Sequence, residues 1–268
     1  MQTPHSPIGE ARHVQLQGAS NFRDAGGYAA ASGRVQNGKI FRSDRLSKLS
    51  AEDQQTVDQL DIELIIDLRR STERETDPTL WRGPEQWHAP IFADQGRSSF
   101  ILRNLDQTPD DAAELGREMM HDVYRRMIRE EDPAQQIGNI LLRLSEPQTG
   151  PFLVHCSGGK DRTGVVIALL HWALGVDQED IYHDFMLTQQ YYDGRALMHE
   201  RAAQIIATLG QELDEAALLP IFSVHASYLD AAFDEIKQRS GSADDFLQEI
   251  GIGAREREGL ARNFVSDA

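Results

Sequence analysis

The chain has 268 residues, 40% of them hydrophobic and 26% charged, with a formal net charge of −16. That length suits one α/β domain with elaborations, or two small domains. So acidic a surface disfavours nonspecific binding to nucleic acid or to an anionic membrane, and any anionic substrate must be held by a locally concentrated positive site.

No apolar run approaches the ~20 residues of a membrane span. The longest, GVVIALLHWALGV, is broken by His171 and reads as a buried helix. The N-terminal MQTPHSPIGEARHVQ lacks the basic and apolar regions of a secretory signal. Cys156 is the only cysteine, which excludes an internal disulfide and a cysteine-based zinc site. The expected compartment is therefore reducing, most simply the cytoplasm, with export lacking a cleaved signal left open.

In chain order, residues 1–12 read as a loose arm ahead of a single domain over 13–268. NFRDAGGYAAASGRVQNGKIFRSDRL is turn-rich, with short strands expected around Tyr28 and over 40–42. Ser50 is placed to cap a helix, with Asp53 three residues on, near the positive end of the helix dipole. The near-continuous apolar run IELIIDL, 62–68, suits a strand buried on both faces. A weaker strand is expected over 87–92. Residues 94–124 are too long for an ordinary connection and read as a lid-like insertion. PFLVH, 151–155, is a short buried strand that ends at Cys156. Helical spacing follows from Asp177, near 194–209, in SVHASYLDAAFDEIKQR and in ADDFLQEI. The expected class is α/β, with a parallel-rich central sheet flanked by helices.

HCSGGKDRTG, from His155 to Gly164, carries the chemistry. A strand ends, a short loop follows, and the apolar helix begins, so the loop lies at a helix N-terminus. Backbone N–H groups there lack intrahelical partners and the dipole is positive. Gly158 and Gly159 let the loop curl into a nest for one tetrahedral oxyanion. The planar fork of Arg162 can bind two phosphate oxygens at once. Cys156 lies at the base of this cradle, where a helix N-terminus and cationic neighbours favour thiolate over thiol. A thiolate aimed at a bound phosphate suits in-line attack and a phosphocysteine intermediate. No metal or other cofactor is expected, because the nest and Arg162 neutralise the equatorial oxygens. G-x-x-x-x-G-K-[ST], the nucleotide-binding loop, is absent.

These residues match the H-C-x-x-x-x-x-R-[ST]-G signature of the protein tyrosine phosphatase superfamily. GASNFRDAGGY, GKIFRSDRLSKLS, LIIDLRRSTERE and HCSGGKDRTG also occur in the order seen in a bacterial and fungal branch that includes a secreted mycobacterial phosphatase. The resemblance runs from Gly18 to about Gly253. It implies a protein tyrosine phosphatase-like fold with Cys156 as nucleophile, Arg162 as phosphate clamp and Thr163 as the hydroxyl that bonds the thiolate. Ser157, Gly158, Gly159, Lys160, Asp161 and Arg162 would surround the phosphate. His155 would order the loop through backbone contacts.

GKDR resembles loops of enzymes that also act on phosphoinositides, and it places Lys160 at the pocket mouth to meet further phosphates. No W-P-D triplet supplies the general acid, which leaves Asp161 in the loop itself and Asp94 after the weak strand. Asp67 is expected to pair with Arg69. Asn21, Arg23 and Asp24 would hold the architecture around the cysteine loop, with Asp24 pairing with Arg42 or Arg45. The implied substrates are phosphotyrosine proteins, with phosphoserine and phosphothreonine as further targets. The alternative is a phosphoinositide or inositol phosphate. A catalytically dead phosphate-binding module is disfavoured by the intact Cys156, Arg162 and Thr163. Oligomeric state is left open.

Overall fold

In the computed structural model, residues 12–92, 112–199 and 215–266 are described. The strand β7, Phe152–His155, is buried at every position. Its apolar side chains alternate between two cores. Phe152 and Val154 join one cluster with Ile40, Leu64 and Ile66, while Leu153 joins a second with Phe41, Ile65, Val57 and Trp81. Period-two alternation with both faces covered is what a central parallel strand requires.

β7 is the middle of a five-stranded sheet in the order β1-β4-β7-β5-β6. β1 is Arg23–Asp24, β4 is Ile40–Ser43, β5 is Leu64–Asp67 and β6 is Glu85–His88. β4, β5, β6 and β7 run parallel, and β1 is an antiparallel edge. β7 comes last in the chain among these five strands yet inserts between β4 and β5, so the strand order reverses at its C-terminal end. Ligand sites of open α/β sheets form at such a point. The register sets Ser43, His155 and Asp67 level with one another there. A small antiparallel sheet joins β2 (Ala29–Ala30), β3 (Gly33–Val35) and β8 (Val265–Ser266).

The helix Asp161–Ala173 follows the cysteine loop and is buried along most of its length. Gly164 lets Phe185 approach it, since a Cβ there would stand 2.8 Å from that ring. The expected caps form. Ser50 and Asp53 make a reciprocal capping box on the helix Ala51–Asp58, and Asp177 accepts from the Asp180 backbone at 2.9 Å.

Several expected bounds move. The 62–68 strand is regular only over Leu64–Asp67, and the 87–92 strand lies at Glu85–His88 instead. Phe92 takes a φ of 70°, which no strand residue adopts. The expected insertion over 94–124 is described only from residue 112, where a helix runs over Ala112–Arg129, past the expected end. Of the expected arm over 1–12 only Arg12 is among the described residues, and the helix expected near 194–209 lies outside them beyond 199. Helices at Ser71–Thr76, Glu131–Leu144 and Ala254–Phe264 were not expected. No helix among the described residues is long and apolar enough to cross a membrane.

Candidate active site

Cys156 stands one residue beyond β7 and is 2% exposed. The carbonyls of the following loop are satisfied by groups from other segments. Asn21 Nδ2 donates to the Gly158 and Gly159 carbonyls, each at 3.1 Å, and Arg42 Nη2 donates to Gly159 at 2.8 Å. The Arg45 backbone N–H donates to the Ser157 carbonyl at 3.3 Å. Among the described residues, none accepts from the backbone N–H groups of Ser157, Gly158, Gly159 or Lys160. A loop with its carbonyls bound by other segments and its N–H groups uncommitted is a nest for an anion. Gly159 makes the turn possible. Its φ is +62°, and a Cβ would meet the Ser43 carbonyl oxygen at 2.3 Å.

Arg162 is buried and oriented by Glu73, on the helix Ser71–Thr76. Nη1 donates to Oε2 at 2.7 Å and Nη2 to Oε1 at 2.9 Å, while Nη1 also reaches the Leu68 carbonyl at 3.3 Å. This uses the end of the guanidinium. The side fork, Nε with the second Nη2 proton, has no partner among the described residues. Burial opposes charge on Arg162, but Cys156, Glu73 and Asp161 outweigh it and raise its pKa. Burial likewise opposes ionisation of Glu73, yet Arg162, the Ser157 hydroxyl and the Arg70 backbone N–H hold its carboxyl far below the ordinary range. Ser157 thus spends its side chain on Glu73 and keeps only its N–H for an anion.

Asp161 and Lys160 are drawn together. Lys160 Nζ donates to Asp161 Oδ1 at 2.9 Å and to the Ser223 carbonyl at 3.0 Å. Tyr124 donates its hydroxyl to the same Oδ1 at 2.9 Å. Lys160 is only 4% exposed. Its ammonium spends two of its three donors on Asp161 and Ser223. The Thr163 hydroxyl is buried with no hydrogen-bond partner among the described residues. Its expected bond to the cysteine sulfur is not formed here. Asp94 lies outside the described residues.

His155 contacts the backbone, with Nδ1 3.2 Å from the Cys156 carbonyl. Burial lowers its pKa to about 4 against the pull of Asp67, so it is neutral near pH 7 and is not a charge that tunes the thiolate. Asp67 pairs with Arg69 through Nε at 2.9 Å and Nη2 at 2.8 Å, as expected. The expected pairing of Asp24 with Arg42 or Arg45 does not form. Asp24 accepts from the Gly26 and Gly38 backbone N–H groups at 2.7 and 2.6 Å. A carboxylate two residues before a glycine turn is nearer to those amides than to either arginine. Arg42 instead meets Asp184 Oδ2 at 2.5 Å, and Arg23 donates to the Asp184 carbonyl at 3.0 Å and to Thr188 Oγ1 at 3.1 Å.

Sequence reading missed Glu73 and Tyr124 as parts of the site, whereas YHDFMLTQQYY, which holds Asp184 and Tyr192, was expected to cover the pocket as core or lid packing. Tyr192 packs on the loop, its hydroxyl oxygen 3.3 Å from where a Cβ on Gly158 would stand. Glu73 lies inside LRRSTERE, but nothing in that string marks it off from Glu75.

A buried sulfur at the C-terminal end of a central parallel strand, inside an amide nest closed by a pre-set guanidinium, defines a cysteine-centred oxyanion site. The chain belongs to the tyrosine phosphatase family, whose pattern it matches over residues 14–266. Relatives include a protein of Cupriavidus necator provisionally named a tyrosine-protein phosphatase, 29% identical over 92% of this chain and 88% of its own. The triple specificity protein phosphatase PtpB of Mycobacterium tuberculosis is 28% identical over 89% of this chain and 94% of its own. A tyrosine-protein phosphatase of Nostoc commune is 25% identical over 82% of this chain and 72% of its own. The protein is a tyrosine phosphatase by family, and so a phosphoric monoester hydrolase.

Proposed function

We propose that the chain hydrolyses phosphotyrosine in proteins through a phosphocysteine intermediate, with phosphoserine and phosphothreonine as further substrates. The observation that carries this reading is the two-point hold of Glu73 on Arg162, which leaves the arginine's side fork for a phosphate beside Cys156. The phosphoryl oxygens bind the loop N–H groups and that fork. The Cys156 thiolate attacks phosphorus as the P–O bond to the leaving group breaks. Asp161 gives its proton to the departing oxygen. Water then attacks the phosphocysteine, Asp161 takes a proton from it, and inorganic phosphate leaves with the thiolate restored.

Asp161 is preferred to Asp94 as the acid because it begins the helix that also carries Arg162. The name of PtpB, triple specificity phosphatase, supports a range wider than phosphotyrosine. The phosphoinositide reading depended on a lysine free to meet additional phosphates, and Lys160 is committed to Asp161 and Ser223. A thiolate nucleophile needs a reduced sulfur, which supports a reducing compartment.

The test compares wild type with Cys156→Ser on p-nitrophenyl phosphate, phosphotyrosine, phosphoserine and phosphothreonine peptides and phosphoinositide vesicles, with divalent metal chelated. Loss of turnover with retained vanadate binding is expected in the variant. Turnover concentrated on the lipid would overturn the substrate assignment.

A further inference from the structure

We propose that Tyr124 is a positioning residue that dictates which oxygen of Asp161 carries the transferable proton. This rests on the reading of Asp161 as the general acid. Tyr124 is 0% exposed, on the helix Ala112–Arg129. Its ring is wedged between Phe185, perpendicular at 6.1 Å, and Tyr228 at 5.7 Å. Such packing removes freedom from the ring, so the hydroxyl has one direction to point. It points to Asp161 Oδ1, at 2.9 Å.

Lys160 delivers a second donor to that same oxygen at 2.9 Å, and its ammonium is itself anchored on the Ser223 carbonyl at 3.0 Å. An ammonium donates and never accepts. A proton on Oδ1 would face it directly, and one donor would have to leave. Oδ2 has no hydrogen-bond or ion-pair partner among the described residues. The two donors therefore make Oδ1 the fixed acceptor and leave Oδ2 as the oxygen that carries the transferable proton. Two fixed bonds to one oxygen also orient the carboxyl toward the leaving group, which is the geometric requirement for proton transfer. Burial, then the charge of Asp161, raises the Tyr124 phenol well above its ordinary pKa, so it remains a donor throughout the working range.

The experiment measures kcat/KM for a series of aryl phosphates whose leaving phenols run from strongly to weakly acidic. Wild type, Tyr124→Phe, Lys160→Met, Asp161→Asn and the double variant Tyr124→Phe/Asp161→Asn are compared, with thermal melting as a fold control. Tyr124→Phe keeps the ring and its packing. It is expected to lose about tenfold on phenyl phosphate, the scale of one hydrogen bond of about 1.4 kcal/mol, and under about twofold on a dinitrophenyl phosphate that leaves without help. Lys160→Met removes the other donor and provides a second probe with the same steepening. In the double variant the Tyr124 effect should vanish.

If Asp161→Asn loses equally across the series, Asp161 is not the acid and both readings fall. If Asp161→Asn steepens the series while Tyr124→Phe loses evenly or not at all, only the positioning role is overturned. Persistence of the Tyr124 effect in the Asp161→Asn background likewise overturns the positioning role alone.

Discussion

Glu73 grips Arg162 at two points, 2.7 and 2.9 Å, and the Ser157 hydroxyl bonds the same carboxylate at 2.6 Å. One carboxylate thus ties the first and last turns of the phosphate cradle together. Glu73→Gln keeps the shape but removes the charge. Loss of charge-assisted bonds worth about 1.5–3 kcal/mol should lower kcat/KM by roughly 10- to 100-fold. Vanadate affinity should fall in parallel. Unchanged vanadate affinity would separate Glu73 from oxyanion binding.

Gly159 tests the nest. Alanine would force a Cβ against the Ser43 carbonyl at a φ of +62°. Strain of about 1–3 kcal/mol must be relieved by moving the loop. Misplacing even one N–H donor costs on the order of 10²–10³ in turnover. Gly159→Ala should lose at least this much activity, read with p-nitrophenyl phosphate, in a protein that still melts cooperatively.

Asp184 supports the loop from behind. It bonds buried Arg42 and lies 3.7 Å from Arg23 Nε, while Arg42 holds the Gly159 carbonyl. Asp184→Ala leaves two buried cations uncompensated and should cost about 3–5 kcal/mol in denaturant unfolding. Asp177→Ala, which removes only a helix cap, should cost about 1 kcal/mol.

Acid should destabilise the protein in two stages. His155 has an ordinary pKa of 6.5 and a folded value of about 4. Between these the unfolded chain binds a proton that the folded chain refuses, so stability falls as pH drops from 6.5 toward 4, by up to about 3 kcal/mol at 1.36 kcal/mol per unit. Glu73 and Asp184 are depressed carboxylates. Their contribution is present above their ordinary values of 4.5 and 3.8 and is lost as pH falls below them. Thermal midpoints from pH 8 to pH 3 read both stages, and His155→Gln should flatten the first while leaving the second.

The parts legible in the sequence are those that local pattern dictates. IELIIDL and PFLVH announce central strands because, past Glu63, no polar residue interrupts them until Asp67 and His155, at the strand ends. HCSGGKDRTG announces a strand, a nest and a helix because each residue type has one conformational or chemical use at its place. Ser50 and Asp177 announce caps. Partners distant in sequence were not legible. Glu73 is 89 residues from Arg162, and Asp184 is 142 from Arg42. Their pairing depends on how β5 and the helix Gln178–Met186 come to rest against the loop. The partners of Lys160 were not legible for the same reason, since the Ser223 carbonyl that it bonds is 63 residues away.

The central claim is that Cys156 becomes covalently phosphorylated during turnover. Rapid acid quench of the wild type with a ³²P-labelled phosphotyrosine peptide, followed by proteolysis, should find the label on the peptide carrying Cys156. Asp161→Asn should form the label more slowly, and Cys156→Ser should hold none and release no phosphate. Full turnover by Cys156→Ser, or label on any other residue, would contradict the account.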